Sequence, residues 1–165
     1  MPTSTEVAIA TTTLSSAAST ITFSSIPATY TDLRLVLNMA PTVGLPPEFR
    51  LNGSASGYSQ TTLYGTGSAA GSSRETNVTI GWYGLRRTGV ATYPALFTVD
   101  IFSYAGNTNK TGLITGNNDR NGAGSVEYHV ALWRDTSAVN SITMRIDNGA
   151  ASYAAGTTAT LYGIL

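Results

Sequence analysis

His129 is the only histidine of the chain, so a Ser-His-Asp arrangement would have to use it as the base. It lies in the segment SVEYHVALW (125–133), and no G-x-S-x-G nucleophile elbow accompanies it. Side chains of a strand alternate between two faces. The apolar residues of opposite parity in this segment are Val126, Tyr128, Val130 and Leu132. We therefore expect His129 on the outer or interface face of a strand rather than in a catalytic site.

Metal sites have few available ligands. The chain has no cysteine, and one histidine cannot assemble the three or four N/S ligands of a zinc site. The segment GNNDRNGAG (116–124) matches the first half of an EF-hand loop, but position twelve is Tyr128, where a bidentate Glu is required. Its Asn and Gly residues favour a tight turn instead. We predict neither a metal nor another cofactor.

One cluster has residues typical of recognition sites: Trp82, Tyr83, Arg86 and Arg87. Aromatic faces and guanidinium groups anchor protein interfaces and also stack on sugars or bases. The alternative interpretation places Trp82 in the core and leaves the two arginines solvated in a loop. Both interpretations are open at this point.

Two strand carboxylates, Asp100 and Glu127, could form the acid pair of a glycoside hydrolase if they faced each other in a cleft. Isolated carboxylates in strands more often face solvent or pair with an arginine such as Arg34 or Arg145. No residue pattern supports hydrolysis, and we expect the protein not to be an enzyme.

Charged residues make up 11% of the 165 residues and cancel to a net charge of zero. Such a chain lacks the electrostatic means to bind nucleic acid or an anionic membrane. The N-terminus does not read as a secretory signal, and no stretch approaches the ~20 apolar residues of a membrane span. We expect synthesis in the cytoplasm and a surface largely covered by partners, because few charges keep it soluble alone.

Strand patterns recur every ten to twenty residues, and no helical crossover joins them. In TDLRLVLNM (31–39) four apolar residues share one parity, and similar alternation occurs in ALFTVDIFSY (95–104) and NSITMRIDNG (140–149). NVTIGWYGL (77–85) is a further predicted strand, whereas Gly53–Arg74 is predicted as a long loop with one short strand near Gln60–Tyr64. The pattern predicts one domain (1–165), an all-β antiparallel jelly-roll-like β-sandwich of about eight to ten strands.

The two ends of the chain carry a resemblance to a known family. EVAIATTTL, ITFSSIPATYTDLRLVLN, DTSAVNSITMRI and the terminal ATLYGIL resemble virion domains of tailed bacteriophages, and FRLNG and VDIFSY follow in the expected order between them. This resemblance implies a jelly-roll-like sandwich used in capsid decoration (cement) proteins and in fibre domains. It implies no catalytic residue.

The leading hypothesis is a decoration protein on the virion surface, a homotrimer that binds the major capsid protein and stabilises the shell. Residues 1–13 would form an N-terminal arm or edge strand, with Val7 and Ile9 contacting a neighbour. The alternative is a fibre or spike head that binds a host glycan through Trp82, Tyr83 and the turn Asn117–Asn121.

Overall fold

The strands form where the sequence alternates between apolar and polar residues. In the strand Asp32–Met39 all four apolar residues of one parity are at most 1% exposed, while Arg34 and Asn38 face the other side. The computed structural model describes residues 5–84 and 92–165. These residues contain twelve strands: β1 (Glu6–Thr13), β2 (Thr20–Phe23), β3 (Asp32–Met39), β4 (Pro47–Leu51), β5 (Tyr58–Gly65), β6 (Ala70–Val78), β7 (Trp82–Tyr83), β8 (Ala95–Phe102), β9 (Lys110–Asn118), β10 (Ser125–Trp133), β11 (Ile142–Ile146) and β12 (Thr158–Ile164).

The chain passes repeatedly between two antiparallel sheets. The large sheet has the order β1-β12-β3-β8-β9-β10-β5-β6, and the small sheet has the order β2-β11-β4-β7. This is a jelly-roll-like arrangement in which the hairpin β9–β10 is inserted between β8 and β5. The predicted all-β sandwich is confirmed, with twelve strands instead of eight to ten. No helix in the described part of the chain is long and apolar enough to cross a membrane.

An aromatic stack joins the two sheets. Tyr58 of β5 stacks on Trp133 of β10 with ring centroids 5.9 Å apart, and it meets Trp82 of β7 edge-on at 6.2 Å. The Tyr58 hydroxyl accepts a hydrogen bond from the backbone N–H of Leu51 in β4 at 2.9 Å. Desolvation by burial raises the pKa of Tyr58, which further disfavours ionisation of this hydroxyl. The stack thus fixes one end of the small sheet against the large one.

Two segments differ from the sequence-based prediction. The predicted loop Gly53–Arg74 contains strand β5 and the beginning of β6, which pair as a hairpin. The predicted strand 77–85 is divided: β6 ends at Val78, and Gly81 with φ 107° precedes the two-residue strand β7. Small polar side chains form β6 because it pairs with β5, a contact that local composition does not reveal.

Lys110, the only lysine of the chain, is fully buried. Its Nζ atom donates hydrogen bonds to the carbonyl oxygens of Gly106, Thr108 and Thr136. Desolvation lowers the pKa of Lys110, and the charge of Asp135 partly opposes this shift. The lysine therefore connects the loop between β8 and β9 to the loop between β10 and β11.

A substitution at Gly112 tests the packing between the sheets. A Cβ atom at Gly112 would lie 2.8 Å from the indole ring of Trp82 and 3.1 Å from the carbonyl oxygen of Asp100. We expect Gly112→Val to lower the free energy of unfolding by about 1 to 3 kcal/mol, because the core must give way to the added atoms. Urea unfolding measures the change, and the control is Thr111→Val at the adjacent exposed position. Equal stability of the two variants would contradict this packing.

Candidate functional site

The outer face of the large sheet carries an uncharged surface over three adjacent strands. Four large apolar side chains there are at least half exposed: Leu63 (64%), Val126 (62%), Tyr128 (51%) and Val130 (63%). We call the outward residues of β5, β9 and β10 the apolar face: Ser59, Thr61, Leu63, Gly65, Thr111, Leu113, Thr115, Asn117, Val126, Tyr128, Val130 and Leu132. A contiguous exposed surface of this composition is typical of a protein interface.

Each row of paired residues runs across the apolar face from β8 to β6. Only the middle part of the face has a row with charged side chains, and these lie at its two borders, on β8 and β6. On the β8 side, Asp100 accepts hydrogen bonds from Arg34 Nε at 2.7 Å and Nη2 at 3.3 Å. The hydrogen bond with Asp100 is the largest cause that raises the pKa of Arg34. On the β6 side, the exposed Arg74 pairs in register with Thr61. The face is therefore neutral in the middle, with a carboxylate at one border and a guanidinium at the other.

A groove of about 580 Å³ opens at one corner of the apolar face. Leu63, Gly65, Ala70 and Val126 contribute to its walls. The groove exists because Gly65 and Ala70 present almost no side chain between the two larger residues. An apolar side chain of a partner would fit it.

A buried polar relay lies on the opposite side of the same strands. One ring nitrogen of His129 meets the Thr62 hydroxyl at 2.8 Å, and the other meets Glu127 Oε2 at 2.8 Å. His129 is 1% exposed and Glu127 is 6% exposed. The prediction that His129 lies on the outer face is therefore wrong: the polar residues of β10 point inward, and Val126, Tyr128 and Val130 point outward.

The order hydroxyl, imidazole, carboxylate is also that of a nucleophilic triad. Two observations argue against hydrolysis. Thr62 is almost fully buried. In addition, β5 is paired on both sides, with β10 and with β6, so its backbone N–H groups serve the sheet and are not free to form an oxyanion hole. The relay is better explained as the polar contact that fixes β10 against β5.

A cleft of about 210 Å³ lies beside the relay, where the small sheet ends at β7. The Gln60 amide binds the backbone of Tyr83 in both directions, at 3.1 and 3.2 Å, and so attaches β7 to β5. The residues around the cleft are mainly polar: Gln60, Thr62, Tyr64, Ser73, Glu75, Tyr83, Gly84, Glu127 and His129. Such groups match the hydroxyl groups of a small polar ligand.

The structure separates the residues that were predicted to bind a partner. Trp82 is fully buried in the core, as the alternative interpretation held, and cannot offer its face to a partner. Tyr83 is half-buried at the cleft. Arg86 and Arg87 lie outside the described residues. Val7 and Ile9 are half-buried in β1, which pairs with β12 of the same chain.

The structure separates the two strand carboxylates and folds the candidate calcium loop as a turn. Asp100 points to the outer face and Glu127 to the inner face, so they are separated by the sheet. In the turn after β9, Asp119 accepts a hydrogen bond from the backbone N–H of Gly122, and Asn121 adopts φ 58°. This is the tight turn that its composition favours. Among the described residues, no group of three or more His, Asp or Glu residues could hold a metal ion.

The relay makes a testable contribution to stability. We expect His129→Ala to lower the free energy of unfolding by about 2 to 4 kcal/mol, since it leaves the buried Glu127 and Thr62 side chains without this partner. The control is Val130→Ala, at the exposed neighbouring position, which should change stability by less than about 0.5 kcal/mol. Chemical denaturation of both variants gives the comparison, and similar losses for the two would contradict the relay.

No protein-family model matches the sequence, and no curated protein matches it.

Proposed function

We propose that the protein decorates the capsid of a tailed bacteriophage, where it binds the shell of major capsid protein and stabilises it mechanically. The observation that carries this proposal is the apolar face, which is uncharged across three strands and exposed in the isolated chain. The sequence resemblance to phage virion domains supplies the biological setting.

The exposed area favours a protein that works by association. Its four most exposed large side chains together leave several hundred square ångströms of surface uncovered, which is the size of the largest apolar patch on a typical soluble monomer, and such patches are often functional. Burial of apolar surface contributes about 25 cal/mol per Å², so covering this face supplies part of the free energy that holds an assembly together. A mechanical role requires a rigid body with such a surface rather than a reactive group.

Copy number in the virion tests the proposed role. For a decoration protein we expect hundreds of copies per particle, because it occupies equivalent positions over an icosahedral shell. Quantitative mass spectrometry of intact virions gives its ratio to the major capsid protein. A handful to a few dozen copies would instead place the chain in a fibre or another appendage.

Binding to the shell is the direct mechanical test. Purified protein should sediment with DNA-free shells of the phage that encodes it and should raise the temperature at which those shells break. Shells of an unrelated phage serve as the control. Failure to sediment with the cognate shells would overturn the proposal.

The polar cleft supports a second candidate function, a fibre or spike head that binds a host glycan. The half-buried Glu75 carboxylate and Ser73 hydroxyl provide partners for sugar hydroxyls, and the cleft volume of about 210 Å³ admits one small polar molecule. A glycan array tests this function, with Glu75→Ala as the variant that should lose binding. A silent array combined with shell binding would leave decoration as the function.

A further inference from the structure

We propose that the apolar face packs against the same face of a second copy of this chain, about a two-fold axis that runs along β10. The inference rests on the proposed function only for the role of the dimer: the apolar face joins the two copies, and the dimer contacts the shell through its remaining surface. It replaces the homotrimer of the sequence-based hypothesis with a two-fold dimer as the decorating unit.

The charges at the two borders of the face support a two-fold arrangement. Across the sheet, Asp100, Leu113, Val130, Thr61 and Arg74 form one continuous row through the registers of β8, β9, β10, β5 and β6. Asp100 and Arg74 stand two strands from Val130 on opposite sides. Rotation about an axis along β10 places each Arg74 over the Asp100 of the other copy, so each Asp100 carboxylate lies between Arg34 of its own chain and Arg74 of the second copy.

The central residues of the face meet their own copies on this axis. Val126, Tyr128 and Val130 lie on β10 itself, so each faces its symmetry mate. Their side chains are apolar or aromatic, which makes self-contact favourable where a row of charges would prevent it. Exposed aromatic side chains near the centre of a surface are typical anchors of protein interfaces.

The corner groove also has a complementary side chain. In the row through Val126, Leu96 of β8 and Ala70 of β6 each lie two strands from the axis. The same rotation places the exposed Leu96 over Ala70 of the other copy, which lines the groove. In the dimer, the protruding Leu96 of one copy thus lies over the groove at Ala70 of the other copy.

The size of the face agrees with a dimer of moderate affinity. With strands about 4.8 Å apart and outward residues about 6.8 Å apart along a strand, the rows from β8 to β6 cover a footprint of about 600 Å². Stable interfaces bury about 800 Å² per partner. We therefore expect a dissociation constant in the micromolar range.

Self-association of the purified chain is the first test. Analytical ultracentrifugation should show a concentration-dependent dimer. Val130→Lys places two lysines together on the axis, and Arg74→Glu places a carboxylate over Asp100, so each should weaken the dimer at least about tenfold. Thr22→Lys, at an exposed position on the small sheet, is the matched control and should leave the dimer unchanged. Circular dichroism confirms that the variants remain folded.

Cysteine crosslinking tests the position of the axis, and the natural absence of cysteine makes the result unambiguous. Packed sheets lie about 10 Å apart, which is too far for a disulfide between facing residues, so the reagent is a short bifunctional maleimide. With this reagent Val130→Cys should form a covalent dimer, because residue 130 faces its own copy. Leu96→Cys should not crosslink with itself, since the two copies of residue 96 lie about four strands apart. A mixture of Leu96→Cys and Ala70→Cys chains should crosslink to each other.

The outcomes separate this inference from the proposed function. A monomer at all concentrations, a trimer, or equal crosslinking at residues 96 and 130 would overturn the dimer. A monomer whose shell binding is lost in Val130→Lys would assign the apolar face to the capsid protein instead and would also overturn it. A dimer that ignores shells would preserve the inference and remove the decoration role.

Discussion

The stack of Trp133, Tyr58 and Trp82 is the contact on which the arrangement of the two sheets depends. It joins β10 and β5 of the large sheet to β7 of the small sheet, and the Tyr58 hydroxyl continues the connection to the backbone of β4. Three large aromatic side chains are buried together here, and such side chains contribute strongly to the energetics of a core. Beyond the stack the apolar interior soon ends, because apart from Ala131 the buried residues that follow on β5 and β10 are polar.

The polarity of β5 and β10 follows from this boundary. Beyond the stack, Thr62, Glu127 and His129 satisfy one another in the interior. Side chains alternate along a strand, so the residues next to these inward residues must point outward. In β10 the outward residues are Val126, Tyr128 and Val130. The exposed apolar face and the buried relay are thus two consequences of one sequence pattern. The proposed association surface therefore coexists with a well-paired interior.

The sequence predicts the strands whose inner face is uniformly apolar, such as β3, β8 and β11, because alternation alone then defines both element and orientation. It fails for the orientation of β10, where apolar residues occur in both parities. Trp133 shares the parity of His129 and is the signal that would have placed His129 inside. Lysine is a residue type that is rarely buried, and β6 consists of small and polar residues that are held as a strand by the hairpin with β5. Neither segment has the apolar alternation from which burial or a strand is predicted.

The free edges of the large sheet indicate why association should occur through a face. β1 has a register shift between Ala8 and Ala10, and such irregularities disfavour the addition of a further strand. The other edge, β6, consists of small and polar residues with Arg74 and Glu75 at its centre, and charged side chains on an edge strand resist pairing with a further strand. Neither edge favours unlimited growth of the sheet. A face with charges at its borders instead limits the contact to a partner that covers it in one orientation, which is what a closed assembly requires.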